Sequence, residues 1–209
     1  MSEKMYLAVN HYCSISGNCI SKDGQLLFEG QKQNFEQFSE GAYRHFQLNY
    51  PKFHKMDNLC KLGFLCADTM LKNNDLQINK APYKTGVILS NRSSSLDTDI
   101  RYYNMVRKGI ASPAVFVYSL PNIVIGEICI RHGIKGENTF FISDRYNIPS
   151  QVEYVNQLFR IGSISSCICG WVELLEENYD AFLYLAVKDK PGGLALKHNA
   201  ISIEDLYLR

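Results

Sequence analysis

The sequence predicts an α/β fold with a mainly parallel five-stranded sheet covered by helices. Three observations carry that expectation. Short runs rich in β-branched and aromatic residues alternate with stretches of helical periodicity, the order that right-handed crossovers between parallel strands produce. The run Thr85 to Ser90, TGVILS, is apolar without alternation and is bounded by Pro82 and by the polar stretch Asn91 to Ser95, as strands buried on both faces are. The segment Asn122 to His132 carries Ile123, Ile125, Ile128, Cys129 and Ile130, apolar around too much of its circumference for a surface helix.

Taken in order, Met5 to Ile15 (MYLAVNHYCSI) reads as the opening strand. The segment from there to Tyr50 is polar and aromatic, broken by Gly17, Gly24, Gly30 and Gly41, and is expected to be loop with a short helix. In FHKMDNLCKLGFLCADTMLKNN the residues Met56, Leu59, Cys60, Leu62, Gly63, Cys66, Met70 and Leu71 recur at helical spacing, with Asp57 near the start, which predicts an amphipathic or fully buried helix. The strand Thr85 to Ser90 leads to a helix over about Leu96 to Lys108, then to the helix Asn122 to His132, which should lie inside the domain. Thr139 to Ile142 is the third strand, Ile148 to Ile161 a helix with Pro149 in its first turn, where proline's fixed φ fits. Ser165 to Leu174 is the fourth strand and Asp180 to Lys188 the fifth, turning at Pro191-Gly192-Gly193 into a final hairpin of antiparallel edge strands. No linker or repeat interrupts this order, so a single domain over residues 1–209 is expected.

Composition narrows the function classes. A hydrophobic content of 46%, a charged content of 21% and a formal net charge of +1 describe an ordinary globular chain with no global attraction to nucleic acid or anionic membrane. The start MSEKMYLAVNHY lacks an uninterrupted apolar core, and no later run approaches the length of a membrane span, so a cytoplasmic protein is expected. The seven cysteines, Cys13, Cys19, Cys60, Cys66, Cys129, Cys167 and Cys169, are odd in number and contain no CxxC pair, which points to neither a disulfide framework nor a zinc site. Cys167 and Cys169 stand at strand spacing and are expected to pack on one face. Asn91 to Ser95, NRSSS, follows a strand but lacks the glycine and Lys-Ser/Thr of a phosphate loop. The acidic cluster Glu173, Glu176 and Glu177 reads as a solvated face. No cofactor is implied.

A more specific pattern runs from Ser112 to Glu173. Leu120-Pro121-Asn122, then Gly133-Ile134-Lys135-Gly136-Glu137, then the strand Thr139 to Ile142 follow one another without a gap. This order resembles the β-ketoacyl-ACP synthases, in which a Leu-Pro-Asn helix leads through a Gly-Leu-Lys-Gly-Pro turn and a strand to the active cysteine. Met56 and Asp57 are similar to that family's Phe-x-Met-Asp-Arg helix, with Asn58 departing from it, and Cys169-Gly170-Trp171-Val172-Glu173 to its Ala-Gly-Gly-Ala-Glu strand end, keeping Gly170 and Glu173. The resemblance covers roughly Lys55 to Lys188 and implies the N-terminal half of a thiolase-like fold.

In register with the family's nucleophile stand Ser143-Asp144-Arg145, followed by Asn147-Ile148 where the family has Ser-Gly. An Arg guanidinium stays protonated and has no lone pair to attack a thioester, so the expected acyl-enzyme cannot form there. The family's two catalytic histidines belong to its second half, for which a chain ending at Arg209 is expected to have no room. His11, His45, His54, His132 and His198 stand outside the family's histidine motifs and are expected to be structural or solvated.

The resemblance therefore implies a degenerate member similar to the chain-length factors, the cysteine-less ketosynthase homologues that pair with an active ketosynthase. Truncated versions are associated with aryl polyene and flexirubin-type pigment pathways. In the family fold the strand before the nucleophile pairs with its symmetry mate across the dimer. The matching strand here, Asn138 to Ser143 (NTFFIS), is expected to seat an active ketosynthase subunit or a second copy through Asn138, Thr139, Phe140, Phe141, Ser143, Asp144 and Arg145. Tyr146, Asn147 and Pro149 are expected to shape the neighbouring pocket, Arg145 to close it or bind an anion at the contact, and an acyl carrier protein to be a further partner. Val152, Val155, Leu158 and Phe159 of the following helix are assigned to the core. Two rival readings are an acyltransferase or thioester hydrolase working through another thiol, such as Cys13 or Cys129, and a homodimeric scaffold that binds acyl-ACP.

Overall fold

Two glycine turns set the first part of the sheet. In the computed structural model, which describes residues 6–31, 34–72, 81–189 and 196–209, β1 (Leu7–Ser16) folds back at Gly17-Asn18 into β2 (Cys19–Lys22), and β2 folds back at Asp23-Gly24 into β3 (Gln25–Glu29). All four turn residues have φ between 51° and 79°, as two-residue hairpin loops of the type favoured by strand twist require. The expectation of a loop over this stretch is thus corrected to a three-stranded meander, followed by helix α1 (Phe35–His45) and a 3₁₀ turn at Pro51–Lys55.

Helix α2 (Asn58–Leu71) follows, then β4 (Thr85–Asn91), α3 (Leu96–Val106), the short α4 (Pro113–Phe116), α5 (Ile123–His132), β5 (Asn138–Ile142), α6 (Ile148–Arg160), β6 (Ser166–Leu175), β7 (Asn178–Lys188), β8 (Leu196–Lys197) and α7 (Ala200–Tyr207). The sheet order is β3-β2-β1-β7-β6-β4-β5, with β8 pairing β1. The α/β class holds, with eight strands among the described residues in place of the expected five, and with parallel pairing there confined to β6-β4-β5. The other ladders are antiparallel because tight turns join β1, β2 and β3, and because β7 returns directly from β6 to pair with β1. So β7 is an interior strand, not part of an edge hairpin; Pro191 to Gly193 lie outside the described residues.

Each face of the sheet carries its own core. On one face Leu62, Cys66, Val124 and Ile128 from α2 and α5 pack on Val87, Leu89, Ile168 and Leu183. On the other, Val152, Val155, Leu158 and Phe159 of α6, together with Ile203 and Leu206 of α7, cover Ile88, Cys167, Cys169 and Tyr184. The side chains of β4 therefore alternate between two cores, which is why its sequence shows no polar alternation. Cys167 and Cys169 share a face and are buried, and all seven cysteines are free thiols. Helix α5 departs from the expectation of complete enclosure: Val124, Ile125 and Ile128 are buried against α2 and the sheet, while Ile130 on the far side is 64% exposed. Among the described residues no helix is long and apolar enough to cross a membrane.

Two buried polar groups make the fold testable. Asp57 caps α2: its Oδ1 accepts from Cys60 N at 2.9 Å and its Oδ2 from the Thr98 hydroxyl at 2.6 Å, while burial pushes its carboxyl above the ordinary carboxylate range. Asp57→Ala removes a cap and strands a buried hydroxyl, a loss of about 2 to 3 kcal/mol. That corresponds to a fall of roughly 5 to 10 °C in thermal midpoint by calorimetry, with Asp57→Asn, which retains both partners, losing much less.

His198 is buried between Asn156 Oδ1 (2.9 Å from Nδ1) and the Tyr184 hydroxyl (3.2 Å from Nε2), tying the α7 end of the chain to α6 and β7. Burial holds its imidazole down at about 4, below the roughly 6.5 of an unfolded histidine. The unfolded chain therefore binds the proton first. Stability supplied by neutral His198 is complete above pH 6.5 and is lost as pH falls toward 4, by at most about 3 kcal/mol. Thermal midpoints measured between pH 6.5 and 4 are expected to fall more steeply for the parent chain than for His198→Gln.

Candidate functional site

The strand-to-helix junction at the end of β5 is where the sequence placed the degenerate nucleophile. β5 is an edge: it runs parallel to β4, Val87 opposite Asn138 through Asn91 opposite Ile142, and no other described strand pairs with it. Glu137 O accepts from Val87 N, and Ser143 N donates to Asn91 O, each at 2.9 Å. Backbone groups alternate in direction along a strand, so Thr139 and Phe141 also turn their amides toward β4. Phe140 and Ile142 turn theirs outward, with no strand of the described residues beside them.

Side chains alternate as well. The Thr139 hydroxyl lies 3.2 Å from that of Tyr154, and the Phe141 ring meets Tyr154 edge-on at 5.2 Å, so both face α6. Phe140 packs on the α2/α5 core. Phe141 and Ile142 are 37% and 52% exposed. Asn138 is exposed at the start of the strand, its amide 3.5 Å from Gly136 O.

After Ser143, whose hydroxyl donates to Arg145 O at 2.7 Å, the chain turns into α6. Asn147 caps that helix, its Oδ1 accepting from Ser150 N at 3.2 Å, with exposed Pro149 in the first turn. The junction encloses a cavity of about 330 Å³ lined by Ser90, Phe141, Ser143, Asn147, Gln151 and Tyr154 among others.

The expected site residues thus divide. Thr139, Phe141, Ser143 and Asn147 gather around the cavity or its wall. Asp144 and Arg145 are exposed and line no part of it, and no carboxylate of the described residues lies within 4 Å of the Arg145 guanidinium. The loop thus carries the Arg145 side chain away from this cavity. Tyr146 belongs to packing: it stacks on Trp171 at 5.7 Å and meets Tyr207 edge-on at 5.3 Å.

Gln151 was not singled out by sequence reasoning. It is buried at the back of the cavity, where its Nε2 donates to Gly170 O at 3.0 Å and Ile88 O at 3.3 Å, and its Oε1 accepts from the Tyr146 hydroxyl at 2.7 Å. The available signal was its position: with Val152, Val155, Leu158 and Phe159 it lies on the inward stripe of α6, where a polar residue must find partners. Gln151 fixes the helix start against the sheet and offers the cavity a neutral polar wall.

Elsewhere, two of the three carboxylates read as a solvated cluster, Glu173 and Glu177, are engaged, while Glu176 is exposed. Glu173 Oε2 accepts from Arg92 N at 2.7 Å and Ser93 N at 3.1 Å, filling the nest of the NRSSS loop with the chain's own anion, and Glu177 Oε2 accepts from Phe35 N at 2.8 Å. They border an open cleft of about 1440 Å³ that also reaches Asn18, Asp99 and Asp180. Four histidines have partners away from the β5 junction: Asp23 for His11, Glu40 for His54, Asp68 for His132, and the Phe28 and Phe46 rings for His45. Among the described residues no group of histidine, cysteine and acidic side chains is arranged to hold a metal ion.

No family model and no curated protein matches this sequence. Solved structures match the fold. The ishigamide ketosynthase/chain length factor aligns with 91% of this chain at a TM-score of 0.67 and 16% identity. A ketosynthase (ApeO) in complex with its chain length factor (ApeC) from Xenorhabdus doucetiae aligns with 89% at 0.58 and 11% identity. A β-ketoacyl synthase from Burkholderia phymatum aligns with 89% at 0.62 and 10% identity. The chain spans 64%, 80% and 60% of the lengths of these structures. Their common ground with this chain is the thiolase-like ketosynthase fold.

Proposed function

We propose that this chain is a non-catalytic, chain-length-factor-like subunit that pairs through β5 with an active β-ketoacyl-ACP synthase in fatty-acid or polyketide biosynthesis of the aryl polyene or flexirubin type. One observation carries the reading. On a ketosynthase fold, the junction after β5 carries an exposed arginine at the position that the sequence resemblance matches to the nucleophile, and the strand leading to it is an edge among the described residues, bearing Phe141 and Ile142. A cation without a lone pair supplies no acyl-enzyme, and an apolar sheet edge is a liability unless another chain covers it. Structures of similar fold include a ketosynthase held with its own chain length factor.

A thiol-based acyltransferase has less support. Cys13 is fully buried, with its carbonyl accepting from the Cys66 thiol, and burial pushes the Cys129 thiol up to about 11. The reactive species is the thiolate, which Cys129 does not favour near neutral pH, and Cys13 is closed to solvent. The homodimeric scaffold is separated by experiment. Size-exclusion chromatography with light scattering is expected to show a one-to-one complex when a full-length β-ketoacyl-ACP synthase from the same genome is added. A homodimer that persists and leaves the ketosynthase free contradicts the proposal.

A further inference from the structure

Three helices end around one cavity that lies away from the β5 junction. α1 stops at His45, α2 at Leu71 and α5 at His132, and the loop after α1 closes a cavity of about 560 Å³ over Asp68, Lys72, Arg131 and His132. Lys135 N donates to Pro82 O at 2.8 Å, which sets the α5 end beside the start of β4, whereas Ser143 pairs with Asn91 at the end of that strand. The two places are separate.

The centre of the cavity is a guanidinium held flat. The central carbon of Arg131 lies 5.3 Å from the middle of the Tyr50 ring and 5.7 Å from that of Phe64, two rings stacked at 5.1 Å. Buried Asp68 takes one side of it, accepting from Nε at 2.6 Å and from Nη2 at 3.4 Å. The remaining fork, made by Nη1 and the second Nη2 hydrogen, has no acceptor among the described residues. Such a fork grips a carboxylate or a phosphate through two parallel bonds.

Charge is unbalanced in the same sense. Among the described residues Asp68 is the one carboxylate lining the cavity, and it serves both Arg131 and, at 3.7 Å, His132 Nε2. Lys72 Nζ rests 3.5 Å from Phe46 O and over the Phe46 ring, and Lys22 Nζ donates to Lys72 O at 2.7 Å. Neither ammonium has a carboxylate of the described residues within 4 Å. Helix C-termini favour cations, but here Phe46 N, Leu48 N and Ile134 N already meet the carbonyls of Ala42, Tyr43 and Cys129. An unmatched positive charge remains.

We propose that this cavity binds a small molecule with an oxyanion head, a phosphate or a carboxylate, gripped by the free Arg131 fork with Lys72 and His132 as its other polar walls and with Phe46, Leu48 and Leu71 against its apolar body. The volume falls within the roughly 300 to 1,000 Å³ of small-molecule sites. Burial holds His132 below the ordinary histidine range, and Arg131 pushes the same way against the pull of Asp68. An anion on the fork opposes Arg131 and favours the imidazolium, so His132 reports occupancy. The inference stands independently of the subunit reading.

The test follows the His132 ring signal of the whole chain by NMR while inorganic phosphate or butyrate is added, against chloride at equal ionic strength. At least one of the two anions is expected to saturate at millimolar concentration and to raise the His132 titration midpoint by roughly half a pH unit or more, with the His54 signal unmoved. Lys72→Gln, at an exposed position, is expected to weaken that binding at least fivefold, and Arg131→Lys, which keeps the charge without the fork, at least tenfold. Saturation by phosphate assigns a phosphorylated ligand, and saturation by butyrate a carboxylate. A His132 signal that responds to neither anion beyond chloride, or binding that both variants retain in full, overturns the proposal. Thermal melts check that the variants fold, and if Arg131→Lys does not, Lys72→Gln decides alone.

Discussion

Ile142→Pro is expected to weaken the complex with the ketosynthase partner by about 100-fold, or roughly 2.7 kcal/mol, while shifting the melting of the isolated chain by no more than a few degrees. The expectation follows from direction along β5. Val87 N to Glu137 O and Ser143 N to Asn91 O fix the inward set as residues 137, 139, 141 and 143, so Ile142 turns its amide away from β4. Proline there costs this chain no ladder bond, which is the one strand setting that tolerates it. An incoming strand would lose a hydrogen bond and meet the pyrrolidine ring in its path. Phe141→Pro is the contrasting control, because its amide faces β4 and the substitution should lower the melting temperature of the chain itself. Equal affinity of Ile142→Pro and parent for the ketosynthase would remove strand addition from the account.

Gly170→Ala is expected to cost at least about 3 kcal/mol, enough to lower the thermal midpoint by roughly 6 to 12 °C or to leave the protein insoluble. Gly170 lies in β6 between β4 and β7, opposite Leu89 and Leu183, with φ at +152°. A Cβ built there would stand 2.0 Å from Phe182 O and 3.0 Å from Leu183 Cα, contacts with backbone that cannot relax without separating the two strands. The same residue's carbonyl accepts from Gln151 and Ser90, so displacing it also loosens the start of α6 behind the β5 cavity. A melt unchanged by this substitution would mean that the β6-β7 ladder is less closely packed than described.

Much of the α/β core was legible because its signals are local. Asp57 ahead of a helical apolar stripe, Pro149 in a first turn, and the uninterrupted TGVILS each specify an element through one physical rule, and each element stands within a few residues of its expected bounds. The meander was missed although Gly17-Asn18 and Asp23-Gly24, four residues apart, are hairpin turns on their face; the strands between them are short, and β3 is almost entirely exposed, so neither shows alternation. Strand direction in β1, β7 and β8 is a property of long-range pairing that no window of sequence encodes.

At the site, the edge position of β5 agreed with the resemblance, but the outward course of Arg145 depends on a loop conformation fixed by the Ser143 hydroxyl and the Asn147 cap. Gln151 stayed hidden because its partners are the carbonyls of Ile88 and Gly170, distant in sequence.

Condensation of two acyl units, followed by mass spectrometry of carrier-bound products, tests the central claim most directly when run on this chain alone, the ketosynthase alone and the two together. The account predicts elongated product from the mixture and none from this chain by itself. Product formed by the purified chain without any ketosynthase would contradict it.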